Sequence, residues 1–158
     1  MITMTLSEAA TILGGELVGP DKEIRGVSTD TRKAQVGELF VALRGPKFDG
    51  HDCLEDARYK EVSGTVVDRY VDTKLTYIKV PETRLALGKL AKFWRSKFSI
   101  PVAAITGSVG KTTVKEMLGQ IANGSGNALV TRGNFNNLIG VPLTLHAASR
   151  QSAWWVIE

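Results

Sequence analysis

The sequence predicts an α/β protein in two parts: a small mixed α+β unit over residues 1–81 and the first part of a parallel-sheet unit over residues 82–158. Three observations carry this. Apolar, β-branched runs alternate with amphipathic helical patterns along the second part. A glycine-rich loop stands between one such strand and one such helix. The charge also divides at Pro81: 11 Lys/Arg face 13 Asp/Glu up to it, net −2, and 9 face 3 beyond it, net +6.

The elements follow in order. Thr5 or Ser7 caps a short helix through Glu8–Leu13, which Gly14-Gly15 stops. Leu39 to Leu43 is a buried strand ended by Arg44-Gly45-Pro46. Asp52 to Tyr59 is a short helix, and Gly64–Val67 and Tyr77–Val80 are further strands. After Pro81, Leu87, Leu90, Ala91, Trp94 and Phe98 mark one face of a helix that Pro101 ends. Val102 to Thr106 is a short apolar strand leading into the glycine loop. The next helix has Val114, Met117, Leu118 and Ile121 as its apolar positions and closes at Asn123-Gly124. Ala128–Thr131 is a strand, the surroundings of Pro142 are ambiguous, and Trp154–Ile157 is a last buried strand ending at Glu158.

Composition narrows the class. At 158 residues, 43% hydrophobic and 23% charged, the chain builds a core and lies outside the disordered range. No run approaches the ~18 apolar residues of a membrane span. The start, MITMTLSEAATILGG, lacks a basic region and holds Glu8, so it does not read as a signal peptide. The one cysteine, Cys53, excludes an intrachain disulfide, fits a reducing cytoplasm and reads as a small buried residue. Two histidines and one cysteine, widely spaced, leave no His/Cys metal cluster. The basic excess after Pro81 is either a solvated helix face or an attraction for anionic ligands such as phosphates. No nucleic-acid motif accompanies it.

The strongest local signal is Thr106-Gly107-Ser108-Val109-Gly110-Lys111-Thr112-Thr113. Glycines let backbone N–H groups turn toward an anion, and the following helix adds the partial positive charge of its N-terminus. Lys111 is placed to reach the β- and γ-phosphates, and the Thr112 hydroxyl to ligate Mg²⁺. The spacing is shorter than the general G-x-x-x-x-G-K-[ST] pattern, which wants glycine where Ile105 stands. An acidic residue ending a hydrophobic strand is the usual second Mg²⁺ anchor in such sites, and Glu158 occupies that place.

The short loop resembles the ATP loop of the Mur ligases, which build the peptidoglycan precursor. So does Thr131-Arg132-Gly133-Asn134-Phe135-Asn136-Asn137-Leu138-Ile139-Gly140-Val141-Pro142-Leu143-Thr144. Asn136-Asn137 followed by Gly140-Val141-Pro142 is most similar to the last ligase of the series, which adds D-alanyl-D-alanine to UDP-N-acetylmuramoyl-tripeptide. Ser28-Thr29-Asp30-Thr31-Arg32, Gly37 to Gly45 and Phe48-Asp49-Gly50-His51-Asp52 resemble the UDP-binding domain of the two latest-acting ligases. The resemblance implies a cytoplasmic, monomeric enzyme that uses ATP and Mg²⁺ and makes an acyl phosphate which the amine of D-alanyl-D-alanine attacks. It implies ATP held by Gly107, Ser108, Val109, Gly110, Lys111, Thr112 and Thr113, with Lys111 catalytic and Thr112 and Glu158 at the metal. Asn134, Asn136 and Asn137 would line the meeting point of nucleotide and substrate, and Ser28, Thr29, Arg44, Gly45, Asp49 and His51 would hold the uridine diphosphate. From the residues alone, the asparagines also read as a turn cluster, Ser28 as a turn cap and His51 as an ordinary loop histidine. Members of the family carry a longer ATP-binding domain and a third domain, so the chain is expected to be an N-terminal portion, inactive alone. Alternative readings are the sibling ligase that adds the third residue, a P-loop phosphotransferase, and a non-catalytic UDP-sugar-binding module.

Overall fold

The computed structural model describes residues 3–149 and 151–158. In chain order its elements are β1 (Met4–Thr5), α1 (Leu6–Leu13), β2 (Glu16–Val18), β3 (Glu23–Ile24), β4 (Val27–Ser28), β5 (Leu39–Val41), β6 (Arg44–Gly45), β7 (Phe48–Asp49), α2 (Leu54–Tyr59), β8 (Gly64–Val67), β9 (Tyr77–Lys79), α3 (Thr83–Ser96), β10 (Val102–Ala104), α4 (Lys111–Gly124), β11 (Ala128–Val130), α5 (Gly140–His146) and β12 (Trp154–Ile157).

Helix α1 starts at Leu6, two residues before the expected Glu8, and Thr5 rather than Ser7 is its cap. The Thr5 hydroxyl accepts the Glu8 N–H at 3.2 Å while the Glu8 carboxylate accepts the Thr5 N–H at 2.8 Å, a reciprocal capping box. Gly14 ends the helix at φ 65°, a left-handed backbone that glycine adopts without steric cost. Five strands form the first sheet in the order β2-β9-β8-β5-β4, parallel except for the β2–β9 pair. Alternate residues serve opposite faces. Leu39, Val41, Val66 and Ile78 pack with α1 and α3, while Phe40, Ala42, Val67 and Tyr77 pack with α2. Burial on both faces explains why these strands are apolar throughout.

The strand expected over residues 39–43 pairs as Leu39–Val41, and Arg44-Gly45 goes on to pair with Phe48–Asp49 in an antiparallel hairpin. The helix expected from Asp52 begins as a 3₁₀ turn at Gly50–Cys53, capped by the Asp49 carboxylate, and becomes α-helical only at Leu54.

The second sheet is fully parallel, in the order β10-β12-β11. The strand expected over residues 102–106 is Val102–Ala104. Strand β12 is central and buries Trp155, Val156 and Ile157, while Trp154, expected to be buried with them, is exposed at its start. Helix α3 joins the two sheets: Ala86, Leu87 and Leu90 enter the first core, while Trp94 stacks edge-on to Phe98 at 5.1 Å, and Phe98 lies 5.3 Å from Trp155. The ambiguous segment around Pro142 is α5, where proline falls in the first turn and forfeits no helical hydrogen bond.

Helix α4 corrects one expectation. Of its expected apolar positions, Val114, Met117 and Ile121 are exposed. The buried face is Lys115, Gly119 and Ala122. Gly119 permits it, since a Cβ there would meet Val130 Cγ2 at 3.1 Å. Close approach to β11, together with partners for the Lys115 ammonium, overrides the apolar pattern.

Candidate functional site

The site grows from the end of β10. The Ile105 N–H donates to the Ile157 carbonyl at 2.8 Å, so the chain leaves the sheet beside the end of β12. Gly107 (φ 148°) and Gly110 (φ 78°) then turn it into α4 through conformations that L side chains rarely adopt. Helix α4 has no side-chain cap at its N-terminus, so its first amides are available to an anion. Lys111 Nζ donates to the Gly107 carbonyl at 2.7 Å, laid across the loop that it would share with a phosphate.

Glu158, at the end of β12, faces this loop. Its Oε2 accepts from the Thr112 hydroxyl at 3.4 Å, and its Oε1 accepts from Asn136 Nδ2 at 2.9 Å. Its N–H donates to Thr131 Oγ1 at 3.0 Å. The loop, the acid and Asn136 expected from the sequence are therefore together. Thr112 and Glu158 present two hard oxygen donors, the type Mg²⁺ selects, and their 3.4 Å separation is close to the ~3 Å between neighbouring oxygens of an octahedral shell. Among the described residues no cluster of three His, Cys, Asp or Glu forms a metal cage. A cation here would draw its other ligands from phosphates and water, as Mg²⁺ usually does.

The remaining asparagines are placed differently. The Asn137 carboxamide oxygen accepts the N–H groups of Ile139 at 3.0 Å and Gly140 at 2.8 Å, so it fixes the entry to α5. A Cβ on Gly140 would lie 2.4 Å from Phe135 Cα, so only glycine lets the loop close on itself here. Asn134 and Asn137 line one wall of a cleft of about 380 Å³ whose other wall carries Ser28, Thr29, Asp30 and Lys33. Two of the expected substrate residues of the first half thus meet the asparagine loop. The Ser28 hydroxyl is held by the Asp30 backbone, at 3.1 Å from its carbonyl. Arg32 holds the Asp30 carboxyl down at about 2, below its ordinary range.

Arg44, Gly45, Asp49 and His51 form a second cluster on the β6–β7 hairpin. His51 Nδ1 lies 2.5 Å from Asp49 Oδ1, and Nε2 lies 3.2 Å from both the backbone nitrogen and Oδ1 of Asp68, so both ring nitrogens are engaged. Its side chain is 3% exposed, so it braces the hairpin from within and offers no ring nitrogen to a ligand. Arg69 donates to Asp49 at 2.8 Å, and Arg44 reaches Asp68 at 3.2 Å and Asp49 at 3.6 Å. Burial pushes the Asp49 carboxyl up, but the hydrogen bonds from Arg69 and His51 outweigh it and hold the group well below the usual carboxylate range. Arg44 and Gly45 are exposed on the hairpin, the Arg44 guanidinium anchored yet accessible. Burial pushes the Cys53 thiol up, which makes it a poor nucleophile.

Four participants were not foreseen: Lys115, Thr131, Asp68 and Arg69. Lys115 is the most notable. Its side chain is 1% exposed, and its Nζ lies 3.1 Å from Glu116 Oε1, 3.3 Å from the Gly133 carbonyl and 3.7 Å from Glu158 Oε2. One signal was present: Lys115 follows Lys111 by four residues, so both face one side of α4.

Comparison with known proteins finds relatives over the whole chain. Residues 105–158 match the Mur ligase middle domain, and residues 23–95 match the Mur ligase family catalytic domain. The UDP-N-acetylmuramoyl-tripeptide–D-alanyl-D-alanine ligase of Escherichia coli is 46% identical over the whole chain, which covers 35% of that enzyme. The ligase of the same name from Bacillus subtilis is 38% identical over 164 aligned positions, again the whole chain and 36% of the enzyme. Among solved structures, MurF from Acinetobacter baumannii superposes with TM-score 0.93 at 35% identity, over 99% of this chain and 36% of that one. MurF from Thermotoga maritima, in complex with ADP, gives 0.76 at 30% identity over 85% of this chain and 31% of that one. The chain thus spans about a third of the length of these relatives.

Proposed function

The chain belongs to the Mur ligase family, and from that premise we propose that it carries the precursor-binding and ATP-binding portions of the ligase that joins D-alanyl-D-alanine to UDP-N-acetylmuramoyl-tripeptide. The observation that carries this reading is the Asn136–Glu158 hydrogen bond at 2.9 Å, which ties the asparagine loop to the acid of the phosphate loop. Reading the division at Pro81, residues 1–81 take the UDP-linked precursor and residues 82–158 take ATP.

In this reading the amides of Gly107–Thr113 cradle the phosphates, and Lys111 leaves the Gly107 carbonyl to meet the γ-phosphoryl oxygens. The terminal carboxylate of the tripeptide attacks that phosphorus, and ADP leaves. The amine of D-alanyl-D-alanine then attacks the acyl phosphate carbonyl, and phosphate leaves as the amide forms. Every reacting oxygen before the amine arrives is negative, so positive charge and oriented amides lower the barrier by offsetting repulsion. Mg²⁺, held by Thr112 and Glu158 with the phosphates, supplies further charge neutralisation when bound. Asn136 holds Glu158 without adding charge, and Asn134 offers a donor and an acceptor to substrate at the cleft. Ser28 and Thr29 line the opposite wall of that cleft, while Arg44 and Gly45 offer an anchored guanidinium and open backbone to the diphosphate. Asp49 and His51 serve by keeping Arg44 in place. We place the reaction in the cytoplasm, with a monomeric enzyme. Among the described residues no helix is long and apolar enough to cross a membrane.

The test is calorimetry of the chain with a non-hydrolysable ATP analogue plus Mg²⁺ and, separately, with UDP-N-acetylmuramoyl-tripeptide. Saturable binding of each is expected. Binding of the precursor without the nucleotide would leave only a UDP-sugar-binding module, and binding of the nucleotide alone would favour a phosphotransferase.

A further inference from the structure

A buried ammonium is costly unless its partners compensate it, so the position of Lys115 calls for a reason. Of its three partners, Glu116 is 63% exposed on the surface of α4 and needs no buried counter-charge. The other two belong to the site. The Glu158 side chain is only 3% exposed, and of its two carboxylate oxygens Oε1 is fixed by Asn136 and Oε2 faces Lys115. Gly133 immediately precedes Asn134 in the asparagine loop, and its carbonyl accepts from the same ammonium. One cation therefore touches the phosphate-loop helix, the end of β12 and the asparagine loop.

We propose that Lys115 is a positioning residue: its buried ammonium, anchored on the Gly133 carbonyl, aims the Glu158 carboxylate and thereby couples divalent-cation binding to the asparagine loop. The inference rests on the nucleotide reading above. In this role Lys115 is not itself a ligand of phosphate or cation; it acts from behind the carboxylate, as outer partners of metal ligands commonly do. Without it, Oε2 keeps only the long 3.4 Å contact to Thr112, and the loop loses a tie close to Asn134 and Asn136.

The test is the affinity of the chain for ADP with Mg²⁺ and with EDTA, in the wild type, Lys115→Met, Lys115→Arg and Glu116→Gln. Loss of a ligand's outer partner typically costs 10–100-fold in metal affinity, so Lys115→Met is expected to reduce the Mg²⁺-dependent gain about tenfold while leaving ADP affinity in EDTA intact. Lys115→Arg, which keeps the charge, should restore part of the gain. Glu116→Gln, which removes only the exposed partner, should leave it unchanged. A merely structural lysine would lower both affinities together, and that result overturns the proposal. If Lys115→Met does not fold, Lys115→Arg decides: it must lower the Mg²⁺-dependent gain more than the affinity in EDTA, and equal losses overturn the proposal. A wild-type chain without Mg²⁺-dependent ADP binding overturns the nucleotide reading and this inference with it. Wild-type dependence that survives Lys115→Met overturns the inference alone.

Discussion

The two sheets of this molecule are held in different ways. The first is covered on both faces by apolar side chains, with Leu6, Leu39, Val41, Val66, Ile78, Leu87 and Leu90 all fully buried. The second has three strands, its edge strand β10 exposes Val102 and Ala104, and α4 leaves Val114, Met117 and Ile121 in solvent. What orders it near the site is polar: Lys115, Thr131, Asn136 and Thr112 all bond to Glu158. Stability and site chemistry are thus drawn from different residues, and α3 is the element that connects them.

That contrast can be broken by experiment. The largest effect is expected from Leu87→Ala, which removes a fully buried side chain from the first core and should cost about 3 kcal/mol in urea unfolding. A cost below that of the exposed Met117→Ala would end the distinction.

His146 sharpens it at the junction of α3 and α5. Burial pushes its imidazole down from 6.5 to about 4, against a smaller opposing contribution from the Leu87 backbone. The unfolded chain therefore takes the proton first as pH falls. Stability from this group is complete above pH 6.5 and declines as pH drops toward 4, by about 3 kcal/mol in all. Replacing it, as in His146→Leu, should flatten that part of the stability–pH profile; an unchanged slope would show that His146 is not its source.

Smaller effects separate fold from site. Thr5→Ala removes one half of the capping box and should cost about 1 kcal/mol without altering nucleotide affinity. Met117→Ala, on the exposed face of α4, should stay within about 0.5 kcal/mol of wild type. A greater loss in thermal unfolding would mean that this face packs against something in solution.

The legibility of the sequence follows the same division. The glycine turn into α4 was readable because its requirements are local: glycines at positive φ, then a lysine and a hydroxyl opening a helix. A Thr5 cap for α1 and the strand before Glu158 were local too, although Trp154 at the start of that strand is exposed. The two-residue strands β1, β3, β4, β6 and β7 were not, since a pair of residues has no periodicity to detect. Asp68 and Arg69 join Asp49 and His51 across 17 to 20 positions of sequence, a contact only the folded sheet creates. On α4 the pattern misled, because a lysine reads as solvated until the fold surrounds it with a carbonyl and a carboxylate.

The most direct test of the central claim, that the phosphate loop and Glu158 form one nucleotide–metal site, is an ADP titration of three proteins with and without Mg²⁺. Wild type should bind more tightly with Mg²⁺, Lys111→Ala should weaken binding in both conditions, and Glu158→Gln should lose only the Mg²⁺-dependent part, about tenfold. Equal ADP affinity in wild type and Lys111→Ala, or an undiminished Mg²⁺ effect in Glu158→Gln, would contradict it.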